Sequence, residues 1–407
     1  MKKIIFLFFI LFISVSLYAV NNTWTGNVST LWSAAGNWSL GRVPISTDDV
    51  VIPTAASNNP YITASLGYTG NCRTLIIQSG KTLRVGYATI NITYDMTIYG
   101  HLYFSSANAV INVGDDIFWK SGSTELIDQG NIYVKGDWTF EDGTNCTLGT
   151  GNTVIFNGTA NQFLYVYDAN SYFGNMAVNQ TGSVALWLQN ASTYDIQVDG
   201  SLTLSNNSLL QVQSNTLIVD GTLDIEDGSK MYLEHSGGEL INNSTFTLDG
   251  EMYINGGDVQ LGYLICAETG ILTIDAGSLS SNYLISIYGT FSMSNGIIDA
   301  DREFIINATA TTNISGGLIR CERFCAQHFE TFQPTGGTVE MDGNIFSWSW
   351  FVCSNGNFFW NLTIDLSSVS ASVVPQSNIT VQNNLEIVEG FLYVYAVSYT
   401  HLRAHET

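Results

Sequence analysis

Proline is nearly missing from this chain, with five in 407 residues and none between Pro60 and Pro334. Proline removes a backbone donor and interrupts strand pairing, so a gap this long suits a continuous β-ladder. Charge is scarce too, at 12% of residues, and basic charge scarcest, with 13 Lys and Arg against 35 Asp and Glu and a formal net charge of −22. A surface so poor in cations disfavours nucleic acid and anionic lipid as partners. Helical periodicity is lacking throughout the mature region, which argues against an α-helical or α/β domain. Only residues 4–13 form a long apolar run. Nothing later approaches the roughly 18 residues that a membrane-crossing helix needs, so no membrane span is expected beyond the leader. Gly-x-Ser-x-Gly, His-Glu-x-x-His and phosphate-loop signatures are missing, leaving esterase, zinc-protease and nucleotide chemistry without a motif.

The apolar run follows Lys2 and Lys3 and precedes small residues up to Ala19. Residues 1–19 read as a secretory signal peptide, and the mature protein is expected to be secreted or at the cell surface. Low charge with 45% hydrophobic residues indicates a long, buried core rather than disorder. Six cysteines, Cys72, Cys146, Cys266, Cys321, Cys325 and Cys353, have irregular spacing. Buried thiols and inter-rung disulfides are both open.

The dominant pattern is apolar-x-apolar-x-Gly-x-apolar-x-apolar, at residues 96–104, 132–140, 196–204, 217–225, 246–254 and 285–293, and again at 379–387 with Asn383 in the Gly slot. Period-2 alternation means strand. The Gly falls on the inward parity, where the backbone itself can turn a corner. Repeated strand, corner, strand units predict the rungs of a β-solenoid. At 22 to 25 residues per rung, the body from residue 71 to 396 makes about 14 rungs and a rod of ~65 Å. Successive Gly or Asn positions are 36, 64, 21, 29, 39 and 94 residues apart, so the rungs are irregular.

A longer repeat overlies the short one. Trp138, the run 153–158, Phe173 with Asn175 and Met176, and 196–204 recur as Phe324, 338–343, Phe359 with Asn361 and Leu362, and 379–387, at offsets of 186, 185, 186 and 183. The second copy of this ~185-residue unit is expected to be cut short. Residues 397–407, VSYTHLRAHET, break the pattern and resemble a translated sequencing-adapter tail, so they are expected to be non-native. Residues 20–70, with Trp24, Trp32 and Trp38, are expected to cap the first rungs.

That capping segment carries Trp24-Thr25-Gly26, Trp32, Asn37-Trp38-Ser39, Val43-Pro44 and the paired Asp48-Asp49. It resembles the opening of large secreted bacterial repeat proteins of the parallel β-helix type, and the body order, Thr-Val-x-Phe-x-Gly and then aromatic-x-Asn-Leu-x-Ile, is similar to theirs. The resemblance implies an all-β, right-handed parallel β-helix, with surface display or release through a type IX-like secretion route. It implies no reaction.

Some parallel β-helices are polysaccharide lyases or glycoside hydrolases, which need close carboxylates. Candidates are Asp115 with Asp116, Asp199 with Asp220, Asp249, and Asp299 with Asp301. Asp199, Asp220 and Asp249 precede corner glycines and read as turn residues. Arg320 and Arg323 flank Cys321 near Glu322 and His328, which suggests surface ion pairs. No catalytic residue, metal ligand or cofactor is assigned. The outward motif positions Tyr99, Tyr103, Tyr133, Tyr253 and Tyr288 are the candidate carbohydrate contacts, because tyrosine stacks on sugar faces and offers a hydroxyl. Trp348, Trp350 and Phe351 fall in an expected loop. The expected function is that of a structural or adhesive solenoid contacting polysaccharide or cell-surface components, with polysaccharide cleavage as the alternative.

Overall fold

A computed structural model describes residues 19–63, 68–181, 184–188, 194–326, 328, 330–343, 349–353, 356–366, 372–375 and 378–393. All but the last residue of the expected leader, residues 1–19, and the whole of the expected non-native tail, residues 397–407, lie outside these residues. The described chain is a parallel β-helix of about 15 turns. One 3-10 turn, Ala35–Asn37, is its only helical element among the described residues.

Each turn feeds three parallel ladders in a fixed order. The first runs through Leu75, Met96, Ile117 and Trp138, then Leu164, Leu188, Val212, Leu233 and Ile254. The second holds Leu83 and Leu102 and, farther along, Leu217, Leu240, Val259, Leu279 and Ile298. The third stacks Ile90, Ile111, Ile132, Val154 and Met176. All of these side chains are buried, as period-2 alternation requires. Each contributes ~1.5 to 3 kcal/mol of burial, so the core grows with every rung. Rungs on the first ladder run from 19 residues, Ile274 to Met293, to 26, Trp138 to Leu164. The common length is 21, as from Leu75 to Met96 to Ile117, shorter than the spacing expected from sequence.

The motif glycines all sit between strands, but not at one corner. Gly100 joins the first ladder to the second; Gly200 and Gly221 join the second to the third; Gly136, Gly250 and Gly289 join the third to the first. Only Gly200 and Gly221 are the same corner in successive rungs, which explains why the 21-residue spacing occurs once. None of the six has a positive φ. A side chain at Gly100, Gly221, Gly250 or Gly289 would instead strike a backbone carbonyl of the preceding rung, so the requirement is close stacking rather than left-handed backbone. Asn383 lies within the continuous strand Val381–Glu389, where its Nδ2 donates to Asn361 Oδ1 at 2.7 Å.

The long repeat keeps its stacking and changes its face. Val154 pairs with Met176 and Met176 with Leu202; Val339 likewise pairs with Leu362 and Leu362 with Leu385. Asn175 Nδ2 donates to Asn152 O at 3.0 Å, and Asn361 Nδ2 to Gly337 O at 2.9 Å, each tying its rung to the one before. Yet the first set lies on the third ladder and the second set on the second. The segment around Trp350 and Phe351 corrects the loop expectation: Ser349–Cys353 is a strand, with Trp350 opposite Arg323 and Val374. Trp348 lies outside the described residues.

At the N-terminal end, Val20–Thr23 already pairs with Asp48–Val51. Trp24, Trp32 and Trp38 are buried together, with Trp38 edge-on to the other two at 5.0 and 4.6 Å. The buried Asn37 amide accepts from Val28 N and Ser29 N at 2.9 Å and donates to Leu31 O at 2.9 Å, satisfying a turn that has no strand partner. Burial works against the Asp48 charge, but the Arg42 guanidinium at 2.5 Å wins and holds its carboxyl below the usual range. Cys72, Cys146, Cys266 and Cys321 are buried free thiols, and Cys325 is buried as well. Burial raises the Cys266 thiol to about 11. The Cys353 side chain lies outside the described residues.

Substituting Gly221→Ala places a Cβ 2.5 Å from Gly200 O, which forces two rungs apart. Chemical denaturation is expected to show a loss of about 1–3 kcal/mol. Unchanged stability would contradict the close-stacking role.

Candidate carbohydrate-binding face

The strand Gln162–Val166 reverses the usual emphasis of a rung. Its inward side chains Leu164 and Val166 are ordinary core, while the outward series Phe163, Tyr165 and, one step beyond the strand, Tyr167 is aromatic throughout. Phe163 and Tyr165 lie 6.3 Å apart between ring centroids; Tyr165 and Tyr167 are also 6.3 Å apart and stack nearly parallel, at 8°. Register places Trp187 directly beside Phe163 in the next rung, followed by Gln211, Tyr232 and Tyr253. Thr273, Ser292 and Asn313 continue the same line. Neighbouring rungs lie ~4.8 Å apart, so Phe163 to Tyr253 spans ~19 Å of first-ladder surface.

Its polar surroundings are ordered. Tyr232 and Tyr253 meet edge-to-face at 5.5 Å, and their hydroxyls donate to Glu251 Oε1 and Asp275 Oδ2, each at 3.0 Å. Burial raises both phenols, and each carboxylate it bonds to raises it further. Gln211 Nε2 donates to Glu234 Oε2 at 3.1 Å. The Trp187 indole N–H has no acceptor among the described residues.

On the other side of Phe163 the first ladder turns acidic. Asp95, Asp116 and Asp137 form a chain in which each Oδ1 accepts the next rung's backbone N–H: Asp116 N at 3.3 Å, Asp137 N at 2.7 Å and Phe163 N at 2.8 Å. Carboxylate oxygens of Asp95, Asp115 and Asp116 all lie within 4.8 Å of one another. Burial and their mutual repulsion raise the carboxyls of Asp115 and Asp137.

The five tyrosines singled out from sequence are dispersed. Tyr99 follows the strand Met96–Ile98 at a corner, and Tyr288 follows Ile287 at another. Tyr103 lies on the second ladder, where Arg84 sits 5.1 Å from its ring and 4.4 Å from that of Tyr61. Tyr133 lies on the third ladder between Asn112 and Ile155. Tyr253 alone joins the aromatic line. Sequence reasoning overlooked Phe163, Tyr165, Tyr167, Trp187 and Tyr232 because it followed the Gly-centred motif. The alternation in Gln162-Phe163-Leu164-Tyr165-Val166-Tyr167 was the available signal.

Among the acidic candidates, Asp199 and Asp220 share one amide: Gln197 Nε2 donates to Asp199 Oδ1 at 3.1 Å and to Asp220 Oδ2 at 2.8 Å. Beside them lies a cavity of about 220 Å³ lined by Tyr172, Tyr194, Asp195 and Gln197. Asp299, Arg320 and Glu340 occupy consecutive rungs of the second ladder, with Arg320 Nε 2.7 Å from Glu340 Oε1. Arg323 pairs with Glu303 at 2.6 Å. Both ion pairs thus run between rungs. Asp342 is half-buried beside this group; burial first, then the charges of Asp299 and Glu340, push its carboxyl up to about 6.

A carboxyl raised by folding favours the folded state below its unfolded value near 3.9, and that contribution is lost as pH rises through about 6. Asp342→Asn removes the penalty. Its melting temperature is expected to exceed that of the parent by a few degrees at pH 8, with the gap closing at pH 5. A gap independent of pH would contradict the assignment.

Residues 23–198 match the model of a domain family of unknown function, DUF8693. The chain is similar to that family from the tryptophan cluster through the aromatic strand and Trp187. No curated protein and no solved structure matches this sequence.

Proposed function

We propose that this chain is a secreted or cell-surface β-solenoid, structural or adhesive in role, that contacts polysaccharide along the outward face of its first ladder. The observation that carries this reading is the aromatic platform of Phe163, Tyr165, Tyr167 and Trp187, continued by Gln211, Tyr232 and Tyr253 in strict register. Rings held in a row by a rigid ladder offer apolar area with little ordering loss on binding. The ~4.8 Å rung step is close to the repeat of an extended glycan, so successive sugars can meet successive rungs. The apolar leader in residues 4–13 supports export, and the net charge of −22 disfavours nucleic acid. Affinity electrophoresis through gels containing soluble glycans tests the contact. Phe163→Ala and Trp187→Ala are each expected to weaken retention about tenfold, near 1.4 kcal/mol. Retention equal to that of the parent in both variants would refute the platform.

One observation favours a second reading, polysaccharide cleavage: Asp342, with its carboxyl raised to about 6 beside Asp299 and Glu340, has the character of a general acid. Under that reading, incubation with glycans releases new reducing ends or unsaturated ends, and Asp342→Asn abolishes the release. Activity unaffected by that substitution would remove Asp342 from the chemistry.

A further inference from the structure

We infer that the polysaccharide held by the first ladder carries no anionic groups, being a neutral glycan whose hydroxyls act as donors. This inference rests on the binding reading above. Among the charged groups along the stripe carboxylates predominate. Asp116 and Asp137 use Oδ1 for a backbone N–H of the next rung, which leaves the second carboxylate oxygen of each for a ligand. Glu234, Glu251 and Asp275 flank the other end, where they already take the donors of Gln211, Tyr232 and Tyr253. Gln211, Tyr232 and Tyr253 thus spend donors on these carboxylates, and the oxygens of Asp116 and Asp137 are presented as acceptors that a hydroxyl-rich ligand complements.

Two cations along the stripe are already committed. Lys120, over the Phe118 ring at 4.9 Å, pairs with Glu141 at 2.5 Å. Lys230, over the Tyr232 ring at 5.9 Å, pairs with Glu251 at 2.6 Å. A uronate or sulfate ester laid on Phe163 and Trp187 would therefore approach Asp116 and Asp137, where the exposed Lys135 at the preceding corner is one cation set against the charges of Asp95, Asp115, Asp116 and Asp137; a net charge of −22 adds long-range repulsion at low salt. The aromatic rings give the affinity in this arrangement, and the carboxylates exclude the wrong polymers.

Matched pairs of probes separate the two ideas: hydroxyethyl against carboxymethyl cellulose, dextran against dextran sulfate, and agarose against carrageenan, each run at low salt with the full chain. At least one neutral member is expected to retain the protein at least tenfold more strongly than its anionic partner. In an Asp116→Asn/Asp137→Asn variant, whose amides keep an acceptor for the backbone N–H but lose the second carboxylate oxygen, neutral retention is expected to fall a few fold and anionic retention to rise, so that the discrimination shrinks severalfold, with the fold checked by thermal melting. Equal or stronger retention by the anionic members overturns this inference and leaves glycan binding standing. Discrimination unchanged in the double variant also overturns it. Retention by none of the six probes removes the binding reading itself.

Discussion

Everything in this molecule depends on backbone hydrogen bonds that hold each turn to the next at a fixed rung spacing. Because the ladders are parallel and in register, a residue's neighbours are set by its position one turn away, about 21 positions along the chain for most rungs. Apolar residues at inward positions then stack into one continuous core, and outward residues stack into lines. The Asn71, Asn91 and Asn112 amides, linked by bonds of 3.2 and 2.8 Å, illustrate how that spacing turns like side chains into a hydrogen-bonded series. The same geometry makes the aspartate chain repulsive and brings Phe163 against Trp187.

The fold class was legible because period-2 alternation, corner glycines and a long stretch without proline, from Pro60 to Pro334, are local signals, each with one dominant structural meaning. What could not be read was which corner a given motif occupies. Gly100, Gly200 and Gly250 look alike in sequence, and all three are inward corner residues, yet they turn three different corners. A strand–Gly–strand segment carries no mark of its ladder, since that depends on counting strands from the start, and rungs of 19 to 26 residues defeat the count. The candidate tyrosines scattered for this reason. Outward parity places a side chain on the surface, but only the ladder decides whether Tyr133 meets Asn112 or another ring.

The cross-rung pairs were hidden in the same way. Arg320 has Glu322 two positions along the chain, which suggested a local ion pair, but the strand register breaks between Cys321 and Arg323, and Glu322 is buried at that turn. The observed partner of Arg320 is Glu340, one turn away. Partial visibility was possible at the aromatic strand, where five residues from Phe163 to Tyr167 announce an outward aromatic row. Its extension through Trp187, Gln211, Tyr232 and Tyr253 is a property of the stack alone.

The long repeat reproduces its internal stacking while moving from the third ladder to the second. In a solenoid built from such units, duplicated surface features do not line up along one side of the rod. They wind around its axis like steps on a spiral stair. Each further unit would face a different direction, so a partner bound at one copy would leave the next copy open to a separate partner approaching from another side.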